Sequence, residues 1–242
     1  VKDYDAASVA IPGPFRYSDG TFLMKHKFAS VYGERFQDLA GLETCSFAHD
    51  VNVMLLGELG LTKREGFDKV ALVSLGTGLG FAMAVDGCLL TNELGSPLVP
   101  IYNRPYRDGI LEDYVSKRGF LRGYEGLSVK ELAEKAFGGD KEAMARFDEC
   151  GNILGKAIAP ILEKVGVNRL LLGGQISRSY ELFGHSLEAA LSRVPTLKRI
   201  SSVSDISYAT FNGLRELARR SADGEPCCAD KDTDRKILEM LA

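Results

Sequence analysis

The stretch from Lys69 to Thr91 restricts what this chain can fold into more than any other. An apolar run from Val70 to Leu75 meets Gly76-Thr77-Gly78-Leu79-Gly80, a second run follows from Phe81 to Val85, and Asp86-Gly87 separates it from Cys88-Leu89-Leu90. Short apolar runs bounded by glycine turns read as strands, and Asp-Gly is a strong signal for a tight hairpin whose turn residues need positive φ. The passage therefore reads as a β-meander. A dinucleotide-binding glycine fingerprint has to open a helix, whereas this one opens a second strand, so a Rossmann reading fails. Two readings of the turn stay open: an ordinary hairpin, or a loop whose bare backbone amides approach phosphate oxygens with the Thr77 hydroxyl as a further donor.

The remaining sequence alternates strand and helix signals. Ala6 to Ile11 is a β-prone run stopped by Pro12-Gly13-Pro14, and Ser46-Phe47-Ala48 ends a strand just before a helix that starts at Asp50. Ser128 to Phe137, Lys141 to Val165 and Tyr180 to Val194 have helical spacing, and Asn168 to Leu172 is a strand ending at Gly173-Gly174. Ser221 to Pro226 reads as a polar linker before a last helix from Asp232 to Leu241. The class is α/β. With 242 residues, 45% of them apolar, two lobes are affordable, and we divide the chain into 1–66, 67–222 and a 223–242 tail.

Charge and cysteines narrow the function. A net charge of −3 supplies no positive field for a nucleic-acid backbone. The five cysteines are scattered without a C-x-x-C pair, which fits a reducing cytoplasm. No stretch approaches the about 18 apolar residues of a membrane span, and Val1-Lys2-Asp3-Tyr4 does not open like a signal peptide. We expect a soluble cytoplasmic protein that begins, with Val rather than Met, as a processed chain or a piece of a longer one. His26, His49 and His185 make no metal-ligand spacing with each other or with a cysteine, so no metal-binding residues and no structural zinc are expected.

Several groups suit chemistry. Gly173-Gly174-Gln175-Ile176-Ser177, between a buried strand and a helix, offers bare backbone to a nucleotide or is a turn that needs positive φ. Asp50 is either a helix N-cap or a catalytic carboxylate. Glu93 and Glu112 stand beside glycine-bearing turns, where a carboxylate is a surface charge or an acceptor for two sugar hydroxyls.

Taken in order, Val9-Ala10-Ile11-Pro12-Gly13-Pro14, His49-Asp50-Val51-Asn52 with Gly57-Glu58, Gly76 to Gly80, Glu93-Leu94-Gly95, Gly109 to Ser116, Gly173 to Ser177 and Ala209 to Gly213 resemble the successive signatures of the ROK family of repressors, uncharacterised reading frames and kinases. The resemblance runs from about Ala6 to about Leu217. It implies the actin-like, ribonuclease-H-like ATPase fold with two lobes. It also implies transfer of the γ-phosphoryl group of ATP, with Mg²⁺, to a hydroxyl of a hexose or N-acetylhexosamine. Asp50 would be the general base, and Gly76, Thr77, Gly78 and Gly80 would line the phosphates. Gly173, Gly174 and Gln175 would hold the adenosine end, and His49, Glu93, Ser96 and Glu112 the sugar. Relatives pair as dimers, so a homodimer is expected, with the helices after Lys141 as a source of interface.

Four departures accompany the match. The family's opening Asp-x-Gly-x-Thr phosphate loop would lie some tens of residues before Val1 and is not in this sequence, so we expect an incomplete first lobe. His49 replaces an Asn, Ser96 replaces the His of Glu-x-Gly-His, and Asn103-Arg104-Pro105-Tyr106-Arg107 replaces a cysteine-rich zinc motif. These changes leave the sugar open and make a non-catalytic, sugar-sensing relative the alternative.

Overall fold

In the computed structural model, residues 6–203 and 205–242 are described. Along the chain come β1 (Ala6–Ile11), β2 (Phe15–Arg16), β3 (Thr21–Phe22), α1 (Phe36–Ala40), β4 (Thr44–His49), α2 (Asp50–Arg64), β5 (Lys69–Leu75), β6 (Leu79–Val85) and β7 (Cys88–Leu89). The short strands β8 (Pro105–Tyr106) and β9 (Gly109–Ile110) lead to α3 (Glu112–Val115), α4 (Lys117–Phe120), α5 (Val129–Phe137) and α6 (Lys141–Val165). Then follow β10 (Arg169–Gly173), α7 (Tyr180–Leu191), β11 (Arg199–Ser202), α8 (Ile206–Asp223) and α9 (Lys231–Leu241). The opening Val1-Lys2-Asp3-Tyr4 lies outside the described residues.

The chain divides into two compact units, each discontinuous in sequence. The first gathers the chain up to Asp68, Ala82–Val99 and the segment from α8 to Leu238; the second gathers Lys69–Phe81, Pro100–Val203 and the last four residues. The segments 1–66, 67–222 and 223–242 suggested by sequence do not coincide with these units, because α8 packs on α2, far earlier in the chain.

In the first unit β1 and β4 run parallel, in register from Ala6 opposite Thr44 to Ile11 opposite His49. An aromatic core of Phe15, Tyr17, Phe22 and Phe47 closes beside Ile11. Helix α2 has Val51, Val53, Met54, Leu55, Leu56 and Leu59 buried, an apolar distribution all round that marks a central helix. It meets α8 backbone to backbone: a Cβ on Gly57 would lie 1.9 Å from the Ala209 carbonyl oxygen, and one on Gly213 1.9 Å from that of Val53. The family-like pairs Gly57-Glu58 and Ala209 to Gly213 thus have a packing role. The Asp86-Gly87 turn has φ of 53° and 82°, as its hairpin reading requires, and β7 returns against β6 with Val85 opposite Cys88.

In the second unit β10 lies between β5 and β11, parallel to both, with Gly173 opposite Ser74. All five residues of β10 are buried, as in a sheet covered on both faces. The apolar side of α6 is used within the unit: Ile153, Leu154, Ile158 and Leu162 are buried, and α7 is its main neighbour. Among its large apolar residues Met144 stays exposed, so this helix offers little free apolar surface for a dimer.

Most elements fall where the sequence places them. The linker at Ser221 to Pro226 is a correction: α8 continues through Asp223 and ends at Gly224 in the left-handed conformation. Pairs of Glu216 with Arg219 and Arg220, and of Arg219 with Asp223, support the last turns at helical spacing, so polarity here means a solvated helix face. The helix at Tyr180 ends at Leu191 instead of Val194. Among the described residues no helix is long and apolar enough to cross a membrane.

Candidate active site

The base candidate stands where β4 passes directly into α2. His49, the last strand residue, is the N-cap, and Asp50 is the first helical residue, so the N-cap reading of Asp50 is off by one position. His49 Nδ1 lies 2.8 Å from Asp50 Oδ1. The Val51 amide donates to Asp50 Oδ1 at 2.7 Å, a better bond than its 3.4 Å approach to His49 Nδ1. Asp50 remains 58% exposed. The chain packed around it disfavours charge, but the His49 bond and charge, the Val51 amide and the nearby Lys27 outweigh this and hold its carboxyl below the usual value.

Ser96 and Glu93 sit on a turn built around Asn92, whose Oδ1 accepts from the amides of Leu94 (3.0 Å) and Ser96 (3.1 Å). Tyr17 brings that turn to the Asp50 region. Its amide donates to Leu94 O at 3.0 Å, its ring lies against Gly95, and its phenol donates to Ile11 O at 2.8 Å. Burial, and then the Asp50 carboxylate, push the phenol far above its ordinary value, with a Ser96 hydroxyl bond acting against them. Tyr17 therefore stays a donor. Asn52, buried on the first turn of α2, reaches Gly95 O at 3.5 Å, and its own Oδ1 has no partner. Glu93 is exposed.

The second unit carries the glycine motifs. Both end parallel neighbouring strands at their carboxyl ends, where open α/β sheets bind ligands. Gly174 has φ of 82°, and a Cβ there would lie 2.1 Å from Leu75 O, so only glycine lets β10 leave the sheet this close to β5. A 3-10 turn, Gln175–Ser179, rather than an α-helix follows directly, with Gln175 exposed. In the other motif Thr77 and Gly78 are exposed at the tip, while Gly80 lies in β6. Nothing stands within 4 Å of a Cβ on Gly76. The tip can therefore present amides and a hydroxyl to a phosphate chain, which fits a nucleotide. Glu112 belongs to this group too: its Oε2 accepts from the Leu79 amide at 2.9 Å and its Oε1 pairs with Arg118 at 2.7 Å.

The structure thus groups His49, Asp50, Ser96 and Glu93 in one unit, and Gly76, Thr77, Gly78, Gly80, Gly173, Gly174, Gln175 and Glu112 in the other. Tyr17, Lys27 and Arg118 were missed by sequence reading. An aromatic in the polar segment after Pro14 was the one available signal for Tyr17. Where relatives would carry the zinc motif, Tyr106 stacks edge-on to Tyr114 with centroids 4.9 Å apart, and Arg107 covers both rings while pairing with Glu149 at 3.0 Å. These residues do not fit a zinc site, and among the described residues no group of three His, Cys, Asp or Glu side chains could hold a metal.

No protein-family model matches the chain. The glucokinase of Thermotoga maritima is 32% identical over 166 residues, 56% of this chain and 52% of its own length; the chain thus spans about half of that relative. The N-acetyl-D-glucosamine kinase of Yersinia enterocolitica is 24% identical over 243 residues, 88% of this chain and 79% of the relative. Among solved structures, the Parabacteroides distasonis glucokinase superposes with a TM-score of 0.72 at 22% identity, covering 89% of this chain and 81% of that one. A ROK family glucokinase of Streptomyces griseus, solved with glucose and AMPPNP, gives 0.64 at 20%, covering 90% and 82%. A ROK family transcriptional regulator gives 0.71 at 21%, covering 97% and 64%. These likenesses define an actin-like ATPase fold of mixed α/β units. The chain is thus similar in sequence to a glucokinase and to an N-acetyl-D-glucosamine kinase, and similar in fold to ROK-family sugar kinases.

Proposed function

We propose that this chain is an ATP-dependent sugar kinase that transfers the γ-phosphoryl group to a hydroxyl of a hexose or N-acetylhexosamine. The observation that carries the reading is Asp50 at the start of α2, ionised and solvent-open, with His49 Nδ1 at 2.8 Å. Homology to glucokinase and N-acetyl-D-glucosamine kinase supplies the reaction class.

MgATP supplies the phosphoryl group and, through its metal, part of the charge that offsets the terminal phosphates. The rest falls to the chain. Asp50 accepts the proton of the attacking hydroxyl, and because phosphoryl transfer passes through a loose transition state, a carboxylate of modest basicity suffices. His49 holds Asp50 Oδ1, which leaves Oδ2 for the substrate. Ser96 and Glu93 offer polar groups to sugar hydroxyls, Thr77 and Gly78 hold the phosphates, and the Gly173-Gly174-Gln175 corner lies against the adenosine end. A homodimer would use surface other than α6, with the exposed Tyr208 and Phe211 of α8 as candidates.

Incubation with MgATP and a panel of hexoses and N-acetylhexosamines, with mass spectrometry of the sugars, tests the reading. A phosphorylated sugar is expected, and its formation depends on Asp50. The second reading, a non-catalytic sugar binder, is favoured by His49 and Ser96 at altered positions and by the likeness to a transcriptional regulator. Calorimetric sugar binding without any sugar phosphate would select it.

A further inference from the structure

We infer that Arg118, acting through Glu112, is a positioning residue for the Gly76–Leu79 turn. The inference rests on the proposal that this turn holds nucleotide phosphates.

The turn is gripped at both ends by one corner of the chain. At its start Gly76 O accepts the Lys117 amide at 2.8 Å; at its end the Leu79 amide donates to Glu112 Oε2 at 2.9 Å. Between the grips lie Thr77 and Gly78, both exposed. A Cβ on Gly78 would come within 2.9 Å of Glu112 Oε2, so the glycine there is what lets the carboxylate sit against the turn.

A bare carboxylate at this point would work against phosphate binding, since like charges at short range repel. Arg118 addresses that charge: Nη2 pairs with Glu112 Oε1 at 2.7 Å and Nη1 with Asp113 Oδ1 at 3.1 Å. Glu112 is 20% exposed at the side chain, so the guanidinium both fixes its rotamer and screens it. With Oε1 held by Arg118 and Oε2 by Leu79, the orientation of the Glu112 carboxylate is fixed from both sides. The carboxylate keeps lone pairs for a sugar hydroxyl, so this grip on a turn 33 residues away in sequence is a second role beside sugar contact.

The test separates the two roles by leaving sugar out. MgATP and adenosine affinities are measured by calorimetry without sugar for the wild-type chain, Arg118→Ala, Arg118→Lys and Glu112→Ala, alongside hydrogen exchange of the peptide that contains Leu79. We expect Arg118→Ala and Glu112→Ala to weaken MgATP roughly tenfold, the scale of one charged hydrogen bond. Arg118→Lys should recover most of that loss, adenosine affinity should stay unchanged, and exchange at Leu79 should rise in the two weakened variants. Wild-type MgATP affinity and exchange in Arg118→Ala would overturn the inference. If the wild-type chain bound no MgATP, the nucleotide reading would fall, and exchange at Leu79 would still decide the positioning role: unchanged exchange overturns it.

Discussion

His49 Nδ1 lies 2.8 Å from Asp50 Oδ1 across the junction of β4 and α2. His49 thus keeps a donor on the Asp50 carboxylate, and the junction itself fixes their spacing because no residue separates strand from helix.

This pair fixes the acid side of activity. Asp50 must be ionised to accept a proton, and its carboxyl is held below the usual carboxylate value, so the wild-type acid limb should not arise from Asp50 near neutrality. His49→Ala removes the main influences that lower it and leaves the burial that raises it. The limb in a kcat/KM profile should therefore move to higher pH, and an unmoved limb would separate His49 from Asp50.

Tyr17→Phe should loosen the Ser96 turn. The change strips the buried Ile11 carbonyl of its donor and Ser96 of its partner, and a lost buried hydrogen bond costs about 1–3 kcal/mol. Urea unfolding should show that loss, and the KM for sugar should rise more than the KM for MgATP.

The contact of α2 with α8 admits no side chain at two points. Gly57→Ala should destabilise by roughly 1–3 kcal/mol, the range of overpacking, because the obstacle at 1.9 Å is backbone and not a movable side chain. A chemical denaturation midpoint equal to wild type would contradict the close approach.

Gly174→Ala should be as damaging for a different reason. Its φ of 82° is costly for an L-residue, and its Cβ would meet Leu75 O, so a loss of about 1–3 kcal/mol is expected together with weaker adenosine binding. Unfolding and adenosine calorimetry check the two parts separately.

The parts of the fold that were readable are those written in local pattern. The run from Lys69 to Cys88 became β5, β6 and β7, because glycine turns between apolar runs leave few alternatives. Ala6 to Ile11, a β-prone run stopped by proline, and Lys141 to Val165, apolar at helical spacing, matched as strand and helix. The tail of α8 was misread, since a helix face laced by Glu216, Arg219 and Asp223 has the polarity of a linker. For the candidate site, residue type and order were enough to propose Asp50 and the glycine turns. The grip of Glu112 on Leu79 and of Tyr17 on Ile11 was not, since each joins a side chain to a backbone atom and leaves no spacing rule in the sequence.

The most direct test of the central claim is sugar-dependent ADP release from MgATP by the wild-type chain and by Asp50→Asn. The account predicts release with at least one hexose or N-acetylhexosamine, and a fall of at least about a hundredfold in the variant, the lower end of what a general base contributes, with sugar affinity retained. Equal turnover by the two proteins would contradict the assignment of Asp50, and silence with every sugar would contradict the kinase itself.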